Sequence, residues 1–251
     1  GSYTYVANHA DADALDAGDV VTDSFNYTVS DGTSGTVATD TAVITITIIG
    51  VNDTPTAQND FGAIVEDGTL TVTNGANASN DGSINTTGEH SGDLMDTSSA
   101  SHKDSDVDAS DSLSITQIKK SGGSNSAVAI GSSYNSSGTQ VVGTYGTLTI
   151  GADGSYTYVA NQDAADVLDE GETANDVFTY TLFDGTATTT ADLTITVLGA
   201  NEAPVARDDS GTVVEDGTLT VSDGDNTSTL SGASYVDSIS TYSLGNAQST
   251  Q

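Results

Sequence analysis

Four aspartates alternate through the phrase KDSDVDASD at residues 103–111: Asp104, Asp106, Asp108 and Asp111. Short carboxylates spaced this way in a loop converge on one point. They repel one another there unless a hard divalent cation lies between them or water keeps them apart. The phrase is not an EF-hand, because Ala109 stands where that loop needs its glycine and Ile115 where it needs a bidentate Glu. Two alternatives stay open, a calcium loop and a solvated acidic loop. A calcium loop would draw further oxygens from the phrase VEDG, through Glu66 and Asp67, or from the linker before it.

That linker phrase occurs twice, as GVNDTPTAQND at 50–60 and as GANEAPVARDD at 199–209. Both prolines of the chain, Pro55 and Pro204, fall in it, each after one strand pattern and before the next. Proline fixes φ and stiffens a linker. Beside each proline an acidic pair, Asn52-Asp53 or Asn201-Glu202, places oxygen ligands where two domains meet, and Asp60 and Asp209 close the phrases. A hard cation bound there would fix the angle between neighbours, and a polar turn without metal is the plain alternative. The LDAGD and LDEGE loops, with Asp16, Asp19, Asp169 and Glu172, offer weaker ligands. Asp31-Gly32 and Asp184-Gly185, each following a strand pattern, read as turns.

Composition narrows the chemistry. Four Lys and Arg residues stand against 36 acids, a formal net charge of -32, so nucleic acid and anionic membrane surfaces are poor partners and cations are favoured. The acids divide into 30 Asp and 6 Glu, and a chain acidified only for solubility has no reason to prefer the shorter side chain. With no cysteine there are neither disulfides nor thiolate metal sites. The longest apolar run, AVITITIIGV at 42–51, is too short and too rich in Thr to enter a membrane. The chain shows no H-E-x-x-H, G-x-S-x-G, Walker or Rossmann pattern, and its three histidines lie far apart in polar stretches, so no enzyme is expected. A carbohydrate-binding module ranks low, since there is no Trp to stack on a sugar.

The elements that must position these acids repeat. GSYTYVAN at 1–8 returns letter for letter at 154–161, and LDAGDVVTDSFNYTVSDGT from Leu15 matches LDEGETANDVFTYTLFDGT from Leu168, an offset of 153 residues. Past a four-residue deletion the offset becomes 149, and residues 50–72 face 199–221. The unit is therefore about 150 residues, one ordinary domain. The chain reads as the C-terminal part of one repeat (1–52), a complete repeat (53–202) and the N-terminal part of another (203–251). Alternation with a period of two predicts eight strands in the complete unit, near 61–65, 70–72, 113–118, 128–130, 145–150, 155–159, 177–183 and 193–198. Residues 160–171 allow one helical turn, and 74–103 is either a long loop or an inserted hairpin. Many short antiparallel strands make an all-β architecture of tandem Greek-key sandwiches.

Together GSYTYVAN, LDAGDVVTDSFNYTVSDGT, TAVITITIIGVNDTP and VEDGTLTV resemble the VCBS-type repeats, relatives of the cadherin-like modules of large bacterial surface proteins and RTX-type adhesins. The likeness covers 1–73 and about 104–222. It implies calcium-dependent, Ig-like β-sandwiches in tandem, exported to the bacterial cell surface and serving as an extender stalk in adhesion or biofilm formation. It carries the linker ligands to Asn52, Asp53, Asn201 and Glu202, and the alternating ligands to Asp104, Asp106 and Asp108, with Glu202 departing from the commoner Asp. The expected partners are neighbouring repeats of the same protein. A second expectation is a filament or sheath subunit, in which strands from another copy complete the partial repeats.

Overall fold

Thr, Ser and Asn alternate with Val, Ile, Leu, Tyr and Phe along the strand-forming stretches, a pattern that gives each strand one dry and one wet face. The computed structural model describes residues 1–32, 38–79, 87–95, 101–108, 110–203 and 212. Among the described residues the one α-helix, α1 (Ala10–Asp13), is followed by β1 (Val20–Ser30), β2 (Thr39–Ile49), β3 (Asp60–Val65) and β4 (Thr69–Val72). Then come β5 (Ser114–Lys120), β6 (Ser126–Ala127), β7 (Thr139–Val142), β8 (Thr147–Ile150), β9 (Tyr156–Val159), β10 (Thr173–Phe183) and β11 (Thr188–Leu198).

Strands β3 to β11 form two sheets, ordered β3-β11-β10-β5-β6 and β4-β9-β8-β7. All pairings are antiparallel except β3 with β11, which run parallel from Asp60 beside Leu193 to Val65 beside Leu198. Because β4 pairs with β9 in one sheet while β5 pairs with β10 in the other, the links from β4 to β5 and from β9 to β10 cross between sheets. This is the Greek-key sandwich that the alternation predicts.

The chain changes sheets at Glu66-Asp67-Gly68. Glu66 donates its N–H to the Leu198 carbonyl of the first sheet at 2.9 Å, and Asp67 donates to the Ala160 carbonyl beyond β9 at 3.0 Å. Asp67 takes the turn in the left-handed region, φ 59°, which Asp tolerates better than most residues.

Between the sheets lies one apolar cluster that includes Ile64, Leu70, Ile118, Leu148, Ile150, Tyr156, Tyr158, Phe178, Tyr180, Leu193 and Ile195. Removing each such side chain from water contributes about 1.5–3 kcal/mol. That core also sets the strand register, since a slip of one residue would turn Tyr180 and Leu193 outward.

Two expectations change in detail. The strand expected at 128–130 stands two residues earlier, as β6, because Ser132 N–H bonds to the Ala129 carbonyl and Gly131 (φ 70°) closes a turn there. Strand β7 escapes the alternation rule, being a half-exposed sheet-edge strand with no fully dry face. Residues 160–171 hold successive i to i+3 turns, such as Ala165 N–H to the Gln162 carbonyl at 2.7 Å; the counterpart stretch carries α1.

Strands β1 and β2 pair only with each other among the described residues. Their eleven-residue register, Val20 beside Ile49 to Ser30 beside Thr39, repeats that of β10 and β11, Thr173 beside Leu198 to Phe183 beside Thr188. Side-chain contacts repeat as well. The Tyr5 hydroxyl donates to Asp23 and its ring meets Phe25 edge-on at 6.1 Å, as Tyr158 does with Asp176 and with Phe178 at 6.2 Å. Only the covering differs, since Phe178 is fully buried whereas Phe25 is 47% exposed.

Candidate metal centre

Seven carboxylates of the described residues are buried: Asp60, Glu66, Asp93, Asp104, Asp108, Asp176 and Asp184. No Lys, Arg or His among the described residues forms a salt bridge with Asp60, Glu66, Asp104, Asp108, Asp176 or Asp184; the pair of His9 with Asp11 lies on the surface. A carboxylate taken out of water must be protonated, hydrogen-bonded or bound to a cation. The three solutions separate these residues into groups.

At one end of the sandwich, carboxylate oxygens of Asp106, Asp108 and Asp111 lie within 4.8 Å of one another. The linker closes over them, with Asp53 donating its backbone N–H to Asp108 Oδ2 at 2.8 Å, and Asp108 N–H bonding to Asp106 Oδ1 at 3.0 Å. Asp106 Oδ2 and Asp108 Oδ1 are buried and accept nothing. Burial pushes Asp111 up, with Asp106, Asp108, Asp184 and Asp16 adding repulsion, and burial also raises Asp53, with Asp108, Asp13 and Asp106 adding to it. Asn52 donates to Asp184 Oδ2 at 3.2 Å. Burial pushes Asp184 up, yet the N–H groups of Thr186 and Ala187 and the Asn52 amide outweigh it and hold the carboxyl below its ordinary range.

The opposite end repeats the problem with fewer groups. Glu66 Oε1 accepts the Ala200 N–H, while the buried Glu66 Oε2 has no partner. Burial raises this carboxyl, and Glu202, Asp166 and Asp67 raise it further against the Ala200 hydrogen bond. Asn201 and Glu202 lie exposed beside it, and Asp209 falls outside the described residues.

Asp60 and Asp104 sit elsewhere, inside the sandwich. Asp60 accepts from Ser91 and from the Tyr180 hydroxyl, both at 2.9 Å. Asp104 accepts the Gln58 N–H at 2.7 Å and faces the same Tyr180 hydroxyl at 3.3 Å. Asp93 joins this interior group by taking the backbone N–H groups of Gly75 and Met95, pinning its loop. Every carboxylate oxygen of the three lies within reach of a protein donor, with Asp60 Oδ2 and Asp104 Oδ2 sharing the Tyr180 hydroxyl, in contrast to Asp106, Asp108 and Glu66.

One phenolic hydrogen cannot satisfy two ionised acids. Burial pushes Asp60 up to about 8 against the hydrogen bonds of Tyr180 and Ser91, with Asp104 and Asp93 adding charge. Asp104 rises to about 7, again through burial first. Both stand above the value of about 3.9 for Asp in an unfolded chain. The folded state then holds more protons between about pH 4 and pH 8, so its stability falls as pH rises through that window. Denaturant midpoints of the calcium-free chain are expected to be lower at pH 8 than at pH 5, and equal midpoints would show that no proton is held at this pair.

Sequence reasoning passed over Asp184, Asp13, Asp166 and Asp176. Asp184 reads as a plain turn residue because its partner Asn52 is 132 residues away. Asp13 and Asp166 carried a signal, since they correspond at the offset of 153 within the repeat. Asp176 carried the same signal, as the counterpart of Asp23 at that offset, but its partners lie outside the phrase: its buried carboxylate takes the N–H groups of Thr144, Tyr145 and Gly146 and the Tyr158 hydroxyl.

Two face-to-face sheets in Greek-key order, with unpaired carboxylate oxygens at both ends and a linker closing over one of them, define a Greek-key β-sandwich domain. Residues 52–199 match the bacterial cadherin-like domain, and the chain belongs to that family. No curated protein matches it. Domains of this family are generally extracellular, typically non-catalytic and generally bind calcium, and the family indicates an extracellular structural or adhesive role. No helix among the described residues is long and apolar enough to cross a membrane.

Proposed function

We propose that the chain is an extender segment of a secreted or surface-anchored bacterial adhesin of the VCBS and RTX type, in which calcium at the domain ends stiffens an adhesion or biofilm stalk. The observation that carries this reading is the set of buried carboxylate oxygens left without a donor. Among the described residues these oxygens, on Asp106, Asp108 and Glu66, stand at the two ends of the sandwich. An unpaired buried carboxylate oxygen costs several kcal/mol and is relieved by a hard cation, for which carboxylate, carbonyl and amide oxygens are the preferred donors. Asp106, Asp108 and Asp111 would hold the ion at the first end, with Asp53 and Asp184 beside them. Glu66, Asp67, Asn201 and Glu202 would serve the second. Asp60 and Asp104 act in this reading as interior structural acids. A bound ion supplies the positive charge that lets acids of the linker and of the sandwich approach one another.

Residues 1–52 are then the C-terminal part of one repeat, 53–202 a complete repeat and 203–251 the N-terminal part of the next, with neighbouring repeats as the partners. A second reading is favoured by the bare face of the β1–β2 hairpin, where Phe25, Tyr27 and Val29 are 44–52% exposed although their counterparts Phe178, Tyr180 and Leu182 are fully buried. Strands from another copy could cover that face and build a filament.

Small-angle scattering and sedimentation velocity in millimolar calcium and in excess chelator test both. The stalk reading expects a monomer that lengthens and stiffens with calcium. Assemblies that grow with protein concentration would favour the filament, and profiles indifferent to calcium would remove the stalk reading.

A further inference from the structure

One contact joins residues 1–52 to the acidic loop without any linker atom. The two carboxylate oxygens of Asp16 accept the backbone N–H of Ser110, at 3.2 Å, and the Ser110 hydroxyl. Ser110 stands between Asp108 and Asp111, two of the three clustered acids. Asp16 is itself held firmly. Its carbonyl takes the Asp19 N–H at 2.9 Å, and the end of β2 passes so close beneath that a Cβ on Gly50 would lie 2.2 Å from the Asp16 carbonyl oxygen. Gly199 occupies the same position under Asp169, 2.3 Å from its carbonyl oxygen, so the second copy of the loop is built alike.

We infer that Asp16 and Ser110 form a clasp that couples residues 1–52 to the cation site of Asp106, Asp108 and Asp111, so that closing the clasp and binding the ion favour each other. This rests on the calcium reading above. When no ion is bound, the clasp carries a further negative charge towards a cluster that already repels itself. A divalent ion reverses the sign of that term. Asp16 is here a positioning residue, acting on the loop through Ser110. The Ser110 hydroxyl is also the first cause of the lowered Asp16 carboxyl, as a closed clasp requires. Linkage is reciprocal, so a broken clasp must appear as weaker calcium binding.

Calcium titration calorimetry on the full chain tests this, with parent, Ser110→Ala, Ser110→Thr, Asp16→Ala and the double variant Asp16→Ala/Ser110→Ala. Ser110→Ala, which changes no charge, is expected to weaken calcium binding about fivefold. Ser110→Thr should restore it, and the double variant should bind no more weakly than Asp16→Ala alone. Because Ser110 is exposed, Ser110→Ala and Ser110→Thr are expected to unfold in chelator at the parent midpoint, which separates coupling from a general loss of structure. Parent-like affinity in Ser110→Ala would overturn the clasp. So would a loss confined to Asp16→Ala, which would make Asp16 a ligand or a bare charge. A parent chain that takes up no calcium would instead overturn the site itself.

Discussion

In calcium at about a hundred times its dissociation constant, the chain is expected to unfold at a midpoint about 5–10 °C above that in chelator. The reason is mass action: an ion that binds only the folded state stabilises it by about 2.7 kcal/mol at that excess, and 1 kcal/mol moves the midpoint of a domain this size by about 2–4 °C. Asp108→Asn is the informative variant. It keeps the shape of a residue that is only 4% exposed and one acceptor for the Asp53 N–H, while removing the charge at the unpaired Oδ1. In calcium the variant should keep half or less of the parent's gain, and what it keeps comes from the Glu66 end. In chelator its midpoint should equal or exceed the parent's, because one source of repulsion is gone. Differential scanning calorimetry reads both effects, and a parent midpoint that calcium leaves unmoved would mean that water alone solvates these acids.

Asp176→Ala is expected to cost about 3–5 kcal/mol, a large share of the stability of one domain. The change strands three backbone N–H groups and the Tyr158 hydroxyl inside the protein, each at about 1 kcal/mol or more. The repeat supplies its own control. Asp23 occupies the corresponding position in β1, where it is exposed and keeps only the Tyr5 hydroxyl among the described residues. Asp23→Ala should therefore cost less than about 1 kcal/mol. Urea denaturation compares the two, and equal losses would show that covering by the loop before β8 is not what gives Asp176 its weight.

Much of the architecture is local and so was legible in the sequence. The alternation through residues 177–183 and 193–198 requires strands with one dry face, and the Gly-Ala-Asp-Gly turn at 151–154 requires β8 and β9 to pair as a hairpin, as they do. The matching register of the β1–β2 and β10–β11 hairpins was likewise present in the repeat offsets of 153 and 149. Strand β7 was not legible, because an edge strand that dries neither face leaves no period to detect.

The candidate site divides along the same line. Sequence alone marked the acid-rich loop and the linker, since alternating Asp and a proline-stiffened junction are patterns of neighbouring residues. Which acids meet is a property of the fold. Asp53 reaches Asp108 across 55 residues, Asp16 reaches Ser110 across 94, and Asn52 reaches Asp184 across 132. The sandwich also sets Asp60 of the linker phrase and Asp104 of the acid-rich loop apart from Asp106, Asp108 and Asp111. It turns them inward onto Tyr180, where hydroxyl and backbone donors already meet their oxygens, and leaves Asp106, Asp108 and Glu66 with buried oxygens that no donor reaches. Spacing along the chain decides which carboxylates crowd together. Whether a given oxygen finds a hydrogen atom depends on strands brought together from distant parts of the sequence, and only the packed sheets determine that.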